Sequence, residues 1–217
     1  MIKIFIILCI NLHLFATPNI EWFQGYNGSA EESHGHYILT CQDGGFLQIG
    51  ETNFLPNSKI YGYDFHEPSI IKAREKAEIE GVSNIEFAVS DAKNIPEKGY
   101  DFACIFDALH DMGDPVGVSK AILNTLNDDG TFMLVEPFAN DELKDNLNTQ
   151  SGLYYSFSTL ICVPTSRAQE VGLQLGAQAG EKRLRSVLSE AGFDNIERRC
   201  VDIESNIVLE AKAWLLR

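Results

Sequence analysis

The strongest constraint on this fold is a series of apolar strand candidates that alternate with helices and end next to acidic residues. These acidic residues are Asp64, Asp91, Asp107 and Glu136. Strands and helices that alternate at this spacing indicate βαβ units and a parallel sheet. The chain is therefore predicted to fold as an α/β protein of Rossmann-like type, with its acidic residues at one rim of the sheet.

The later part of the chain departs from this alternation in two places. Residues 138–180 hold polar stretches around an apolar centre, which predicts an insertion that acts as a lid or forms an acceptor pocket. The strand candidates 195–201 and 206–211 are joined by a short polar link, which predicts a C-terminal antiparallel hairpin. A helix is predicted over 181–191, where Gly192 ends the pattern.

The composition narrows the class of partner. With 17 Lys and Arg against 31 Asp and Glu, the 217-residue chain has a formal net charge of -14. Such a surface repels phosphate backbones, so nucleic acid is not expected as a partner. A small-molecule substrate is favoured instead. The sequence gives no indication of the oligomeric state.

The first residues allow two interpretations. Lys3 precedes the apolar run Ile4–Phe15, and Ala16-Thr17-Pro18 follows, which is the pattern of a signal peptide. The run is too short for a stable membrane span. Residues 1–17 are therefore either a targeting segment or part of the folded or misread N-terminus, and residues 18–217 are the predicted domain. The cytoplasm is the favoured location, and secretion after removal of the signal peptide is the alternative.

No metal site is predicted. The five cysteines are scattered and form no zinc-type spacing. His34 and His36 lie in a loop without a nearby third ligand, so they are expected to be solvated.

The acidic residues at the rim of the sheet suggest a nucleoside ligand. A carboxylate at Asp64 is placed to accept hydrogen bonds from ribose hydroxyls, and Asp91 is placed to accept one from the amine of adenine. Either residue alone could equally be a helix N-cap or a loop carboxylate.

Several motifs carry a resemblance to a known family. They are Tyr63-Asp64-Phe65-His66-Glu67-Pro68, Ser90-Asp91-Ala92-Lys93, Phe106-Asp107-Ala108-Leu109-His110-Asp111-Met112-Gly113-Asp114-Pro115, Val135-Glu136-Pro137-Phe138 and Ser158-Thr159-Leu160-Ile161-Cys162-Val163-Pro164. In this order they resemble class I S-adenosylmethionine-dependent methyltransferases of a bacterial-type small-molecule subgroup. The resemblance implies S-adenosylmethionine as cofactor and a mainly parallel seven-stranded sheet with a final antiparallel hairpin. It also implies cofactor contacts from Phe65, Ala92 and Asp107, beside Asp64 and Asp91.

The glycine loop of that family is poorly represented. The matching stretch is Thr40–Gly50, where only Gly44 and Gly45 could allow the backbone to approach the methionine part of a cofactor. The bulk of Phe46 and Leu47 would crowd that approach. The sequence therefore predicts a degenerate loop with weak cofactor binding and slow or absent methyl transfer.

His110 and Asp111 are the candidate catalytic residues. They follow a strand at the point where, by the resemblance, a transferred methyl group faces its acceptor. A histidine there can take the proton of the acceptor near neutral pH. Alternatively, His110 hydrogen-bonds the backbone and shapes the loop, and transfer proceeds by proximity alone.

The function predicted is S-adenosylmethionine-dependent methyl transfer to a small molecule. One alternative is a catalytically impaired relative that serves as a binding or scaffold protein, which the glycine loop would favour. A second alternative is a nicotinamide-dependent oxidoreductase, since Asp64 would also suit NAD. No Gly-x-Gly-x-x-Gly follows a first strand, which argues against this alternative.

Overall fold

The computed structural model describes residues 2–7, 37–40, 46–49, 58–96, 98–199 and 205–212. The strands are β1 (Ile2–Ile7), β2 (Tyr37–Thr40), β3 (Phe46–Ile49), β4 (Ser58–Asp64), β5 (Ile85–Val89), β6 (Tyr100–Phe106), β7 (Leu126–Pro137), β8 (Asn195–Arg198) and β9 (Asn206–Lys212). The helices are α1 (Glu67–Ile79), α2 (Pro115–Leu123), α3 (Thr149–Phe157), α4 (Val163–Arg167) and α5 (Gly180–Ala191). Short 3₁₀ turns occupy Leu109–Asp111 and Leu143–Asn146, and a π-helical turn occupies Ser158–Cys162.

Seven of these strands form one mixed sheet in the order β5-β4-β1-β6-β7-β9-β8. Strands β5, β4, β1, β6 and β7 run parallel, and β9 is antiparallel to both β7 and β8. The Rossmann-like fold and the antiparallel last strand are thus confirmed. The prediction did not include a second sheet, which β2 and β3 form as an antiparallel pair.

The strand at the centre of the main sheet is a correction to the sequence analysis. The predicted glycine-loop stretch Thr40–Gly50 would place the first strand of the main sheet just before it. Tyr37–Thr40, however, pairs only with β3 among the described residues. The position between β4 and β6 belongs to Ile2–Ile7. An isoleucine-rich run fits a central strand and a targeting segment equally well, and this ambiguity is the reason for the error. The location of the protein in the cell stays a prediction.

The main core lies between the sheet and helices α2 and α5. Leu184, Val187, Leu188 and Ala191 of α5 are buried at the spacing of one helical face. They pack with buried residues of the central strands, among them Phe132 of β7. Helix α5 ends at Gly192, whose φ of 108° is left-handed and suits glycine. This packing fixes the strands whose carboxyl ends carry the acidic residues.

Within the part of the chain that the structure describes, no helix has the length and apolar character that crossing a bilayer requires.

Candidate active site

A cavity of about 340 Å³ opens at the carboxyl ends of β4 and β5. Its size falls in the usual range for small-molecule sites. The lining residues are Tyr63, Asp64, Phe65, Ser90, Asp91, Ala92, Lys93, Asp111, Met112, Gly113, Asp114, Val118, Gln169 and Glu170. The cavity therefore lies at the sheet edge where α/β folds bind ligands.

Asp64 and Asp91 are brought to this one cavity, as the spacing of the strands predicts. Asp64 is only 2% exposed, and its Oδ1 accepts the backbone N–H of His66 at 2.8 Å. Asp91 is exposed, and its Oδ1 accepts the backbone N–H of Lys93 at 2.7 Å. In both residues a local hydrogen bond fixes the orientation of the carboxylate. A carboxylate held in this way can accept a hydrogen bond from a hydroxyl or amine group without first being reoriented.

Phe65 and Ala92 line the same cavity as the two carboxylates. The side chain of Phe65 is 57% exposed although it lines the cavity, so an apolar ring is presented to solvent there. A planar base can stack on such a ring, and Ala92 is small enough to leave room beside it. Two carboxylates and an exposed aromatic ring on one cavity wall are groups that suit a nucleoside.

Asp107 lies elsewhere. It follows β6 with a φ of 45°, which is rare for residues other than glycine and is tolerated best by Asn and Asp. Its Oδ1 accepts a hydrogen bond from Nδ2 of Asn206, at 2.8 Å, at the start of β9. Desolvation and the negative charge of Glu136 raise the pKa of Asp107 to about 7, although the residue as a whole is exposed. The structure does not place Asp107 on the wall of the cavity.

His110 is buried behind the cavity in a network with Glu136. Nδ1 of His110 forms a hydrogen bond with Oε2 of Glu136. The other carboxylate oxygen, Oε1, accepts the backbone N–H groups of Leu109 at 2.8 Å and Ala108 at 3.2 Å. One carboxylate on β7 therefore holds both the turn after β6 and the imidazole that the turn carries.

The protonation of His110 follows from its two acidic neighbours. Burial alone would lower the pKa of His110, but the negative charges of Glu136 and Asp111 outweigh it and raise that pKa well above its ordinary value. Oδ1 of Asp111 lies 3.4 Å from Nε2 of His110. Desolvation also raises the pKa of Asp111. The two neighbouring carboxylates therefore favour the protonated form of the imidazole.

Of the two predicted catalytic residues, only Asp111 lines the cavity. His110 is 5% exposed and lies on the far side of Asp111. A proton taken by His110 would therefore have to pass beside Asp111.

Cys162 joins this cluster from the π-helical turn. Its Sγ, a nitrogen of His110 and an oxygen of Asp111 all lie within 4.8 Å of one another. The sequence analysis did not assign a role to Cys162, because 52 positions separate it from His110 and no local pattern signals a π-helical turn. Such turns occur often at functional sites.

Hydrogen bonds fasten residues 138–180 to the turn that carries His110 and Asp111. Oε1 of Gln169 accepts the backbone N–H of Gly113 at 2.9 Å, and its Nε2 donates to the carbonyl of Asp111 at 2.9 Å. The hydroxyl of Ser166 donates to the carbonyl of Met112 at 2.9 Å. A Cβ on Gly113 would lie 2.5 Å from Cβ of Gln169, so this contact requires glycine.

An ion bridge crosses one side of the cavity. Nζ of Lys93 lies 3.0 Å from Oε2 of Glu170 and 3.6 Å from Oδ2 of Asp114. It joins the turn after β5, the N-cap of α2 and the insertion. The contact with Glu170 raises the pKa of Lys93, so this lysine stays charged.

The comparisons with known proteins follow this geometry. A family model described as a methyltransferase domain matches residues 39–192. The chain belongs to this methyltransferase family. The match begins after β1, and it favours a methyltransferase over a nicotinamide-dependent oxidoreductase. Comparison with curated proteins finds no match.

Solved methyltransferase structures share the fold. The mitomycin 7-O-methyltransferase MmcR is 19% identical, with a TM-score of 0.56, over 75% of this chain and 44% of that chain. An O-methyltransferase family protein from Burkholderia thailandensis is 17% identical, with a TM-score of 0.56, over 75% of this chain and 46% of that chain. PigF with SAH is 15% identical, with a TM-score of 0.57, over 74% of this chain and 45% of that chain. The chain thus spans less than half the length of these structures.

The predicted glycine loop is described only in part, since Phe46 and Leu47 belong to β3. Gly44 and Gly45 lie outside the described residues, between β2 and β3. The weak binding expected from that loop stays a prediction.

Proposed function

We propose that this chain transfers a methyl group from S-adenosylmethionine to a small-molecule acceptor. The observation that carries the proposal is the pairing of Asp64 and Asp91 on one cavity at the carboxyl ends of adjacent strands. Phe65 lines the same cavity with an exposed ring. The family supports the same cofactor, and PigF was solved with SAH.

Different residues of the cavity contact different parts of the nucleoside in this proposal. The carboxylate of Asp64 accepts hydrogen bonds from the ribose hydroxyls, and Asp91 accepts one from the adenine amine. The base stacks on the ring of Phe65, and Ala92 is small enough to leave room for it. The cofactor supplies a methyl group on a sulfonium, which is a good leaving group, so the protein needs mainly to position the acceptor and manage its proton.

His110 and Asp111 are the residues proposed for that proton. Glu136 holds Nδ1 of His110, which directs Nε2 toward Asp111 and the cavity beyond it. In its neutral form His110 accepts the acceptor proton by way of Asp111, and Glu136 stabilises the resulting imidazolium. The raised pKa of His110 means that this neutral form becomes more common as pH rises.

We also propose that residues 138–180 form the wall on the acceptor side. Gln169 and Glu170 already line the cavity, and Gln169 and Ser166 fix the segment to the catalytic turn. Substrate selection by this segment would explain its position after the fifth parallel strand.

One observation favours a binding protein without catalysis as the second candidate. His110 is buried, cationic and absent from the cavity wall. A protein with these features could hold the nucleoside and lack a usable base.

Calorimetric titration distinguishes these candidates from other nucleotide-binding functions. The chain is titrated with S-adenosylhomocysteine and, separately, with NAD, and is then assayed for methyl transfer to a panel of small hydroxylated acceptors. The proposal expects binding of S-adenosylhomocysteine in preference to NAD, with turnover of at least one acceptor. Binding without turnover, including above the pKa of His110, supports the second candidate. Absence of S-adenosylhomocysteine binding contradicts both.

A further inference from the structure

The thiol of Cys162 forms a triangle with the two residues proposed to move the acceptor proton. Sγ of Cys162, a nitrogen of His110 and a carboxylate oxygen of Asp111 lie within 4.8 Å of one another. The thiol is hydrogen-bonded to both of these residues. Cys162 is buried and does not line the cavity, so it can act on a ligand only through its two neighbours.

The π-helical turn of the insertion determines where this thiol lies. The turn, Ser158–Cys162, buries its first and last residues and leaves Leu160 exposed between them. A Cβ on Gly176 would lie 2.3 Å from Oγ of Ser158, so the turn packs closely against a later part of the insertion. The backbone N–H of Gly176 in turn donates to the carbonyl of His110 at 3.3 Å. These contacts hold Cys162 against the segment that carries the imidazole.

We propose that Cys162 is a positioning residue for the proton transfer, an inference that rests on the proposed function. Its S–H group donates to the carboxylate of Asp111, and its sulfur accepts the Nε2–H of His110 when the imidazole is protonated. Nε2 is the nitrogen concerned, because Glu136 occupies Nδ1. One side chain that both donates and accepts thus fixes the carboxylate at the cavity wall and stabilises the imidazolium behind it.

The surrounding charges make a neutral group suitable at this position. Glu136 and Asp111 contact the imidazole, and the charge of Asp107 also acts on it. Three carboxylates therefore already face His110. Desolvation raises the pKa of the Cys162 thiol, so the thiol stays protonated near neutral pH and adds no fourth negative charge. Its S–H group consequently remains available as a donor to Asp111.

Removal of the thiol has a predicted direction at each partner. C162A takes an acceptor from the imidazolium, which should lower the pKa of His110. It also takes a donor from the carboxylate, which should raise the pKa of Asp111. C162S keeps a donor and an acceptor on the same Cβ, so it should restore most of the wild-type behaviour.

NMR titration of the imidazole tests this without cofactor or acceptor. The chain has five histidines, and the loss of one signal in H110Q identifies the signal of His110. We expect that signal to titrate at lower pH in C162A than in the wild type, and close to the wild type in C162S. C104A replaces a buried cysteine of β6 outside the triangle and is the matched control, which should titrate as the wild type does.

Infrared spectroscopy gives a second measurement on the wild-type thiol itself. Its S–H stretching band is identified by its loss in C162S. The band should move to higher frequency in D111N, because an amide oxygen is a weaker acceptor than a carboxylate. This measurement decides the question even where C162A does not fold, which circular dichroism shows.

The activity assay distinguishes positioning from a general loss of structure. With an acceptor that the wild type methylates, C162A should lower kcat about 2- to 12-fold, the factor that corresponds to one net hydrogen bond, and leave the KM of the acceptor unchanged. The acidic limb of its pH profile should move to lower pH, whereas a merely structural defect would leave the limb in place.

Three results overturn the proposal. They are an unchanged His110 titration in folded C162A, an S–H band that does not respond to D111N, and a folded C162S that titrates as C162A does, since packing rather than hydrogen bonding would then explain the effect. S-adenosylhomocysteine titration of the same samples reports separately on the proposed function. Its failure would remove methyl transfer, while the NMR and infrared results would still decide whether the thiol bonds the two residues.

Discussion

The two halves of the functional rim use their carboxylates differently. At the ends of β4 and β5, Asp64 and Asp91 each accept a local backbone N–H and line the cavity. At the ends of β6 and β7, Glu136 and Asp111 surround a buried histidine. The first half presents its carboxylates to the cavity, and the second half places its carboxylates against the imidazole of His110.

This difference shows why an acidic residue at a strand end is an incomplete signal. The same residue type at the same topological position lines the cavity in one half and holds a turn with a buried histidine in the other. Burial and the nearest cation decide which role applies: Glu136 is 1% exposed against an imidazolium, whereas Asp91 is exposed to solvent. Variants in the first half should therefore change ligand affinity, whereas variants in the second half should change the stability of the fold.

Glu136→Ala should give the largest effect. It leaves the charge of His110 and two backbone N–H groups buried without their partner, and breaking a buried pair in this way costs about 3–5 kcal/mol of unfolding free energy. Urea denaturation measures it. Glu197→Ala, on an exposed strand residue, is the matched control and should leave the unfolding midpoint nearly unchanged. A comparably small loss in Glu136→Ala would mean that the second half does not depend on its internal charges.

Asp64→Ala should act on ligand binding. The variant loses hydrogen bonds from ribose to a charged carboxylate, together worth roughly 1.5–3 kcal/mol, or about a 10–150-fold weaker affinity for S-adenosylhomocysteine. Calorimetric titration measures the change. Asp129→Asn replaces an exposed acid at the opposite end of the sheet and should bind as the wild type does. Unchanged affinity in Asp64→Ala would remove the ligand role of the first half.

The raised pKa of His110 should appear as a pH dependence of stability. A group whose pKa is raised on folding contributes stability below its unfolded pKa, near 6.5, and loses that contribution as pH rises through the folded pKa. The stability advantage of the wild type over His110→Gln should therefore shrink as pH rises from about 6.5 through the raised folded pKa of His110. Urea denaturation across this range tests it. A pH-independent difference would show that the histidine is neutral when folded.

The sequence predicted the first half of the rim better than the second. Asp64 and Asp91 lie at or just after strand ends, so the predicted strand ends locate them. Helix α5 could be predicted from the helical spacing of its apolar residues and from Gly192 at its C-terminus. The second half depends on contacts between distant positions: Cys162 and Gln169 reach the turn at 110–113 through tertiary packing that no local pattern specifies. The central strand was missed because Ile2–Ile7 has the composition of a targeting segment as well as of a buried strand.

Lys93→Ala should give the smallest effect, at the boundary between the two halves. Lys93 bridges Glu170 and Asp114 across the cavity, but Glu170 is 82% exposed at its side chain, so the pair is screened and adds little stability. The expected result is an unchanged unfolding midpoint with faster release of S-adenosylhomocysteine, because the bridge holds the insertion over one side of the cavity. Stopped-flow release should also become faster with salt in the wild type and approach the rate of the variant, since the screening length falls from about 10 Å at 0.1 M to about 3 Å at 1 M. Lys76→Ala, which removes a lysine of the same side-chain exposure (32%) from an ion pair on α1, is the control and should leave release unaffected. Equal release rates in Lys93→Ala and the wild type at low salt would show that the bridge does not restrain the ligand, and the two halves would then act independently.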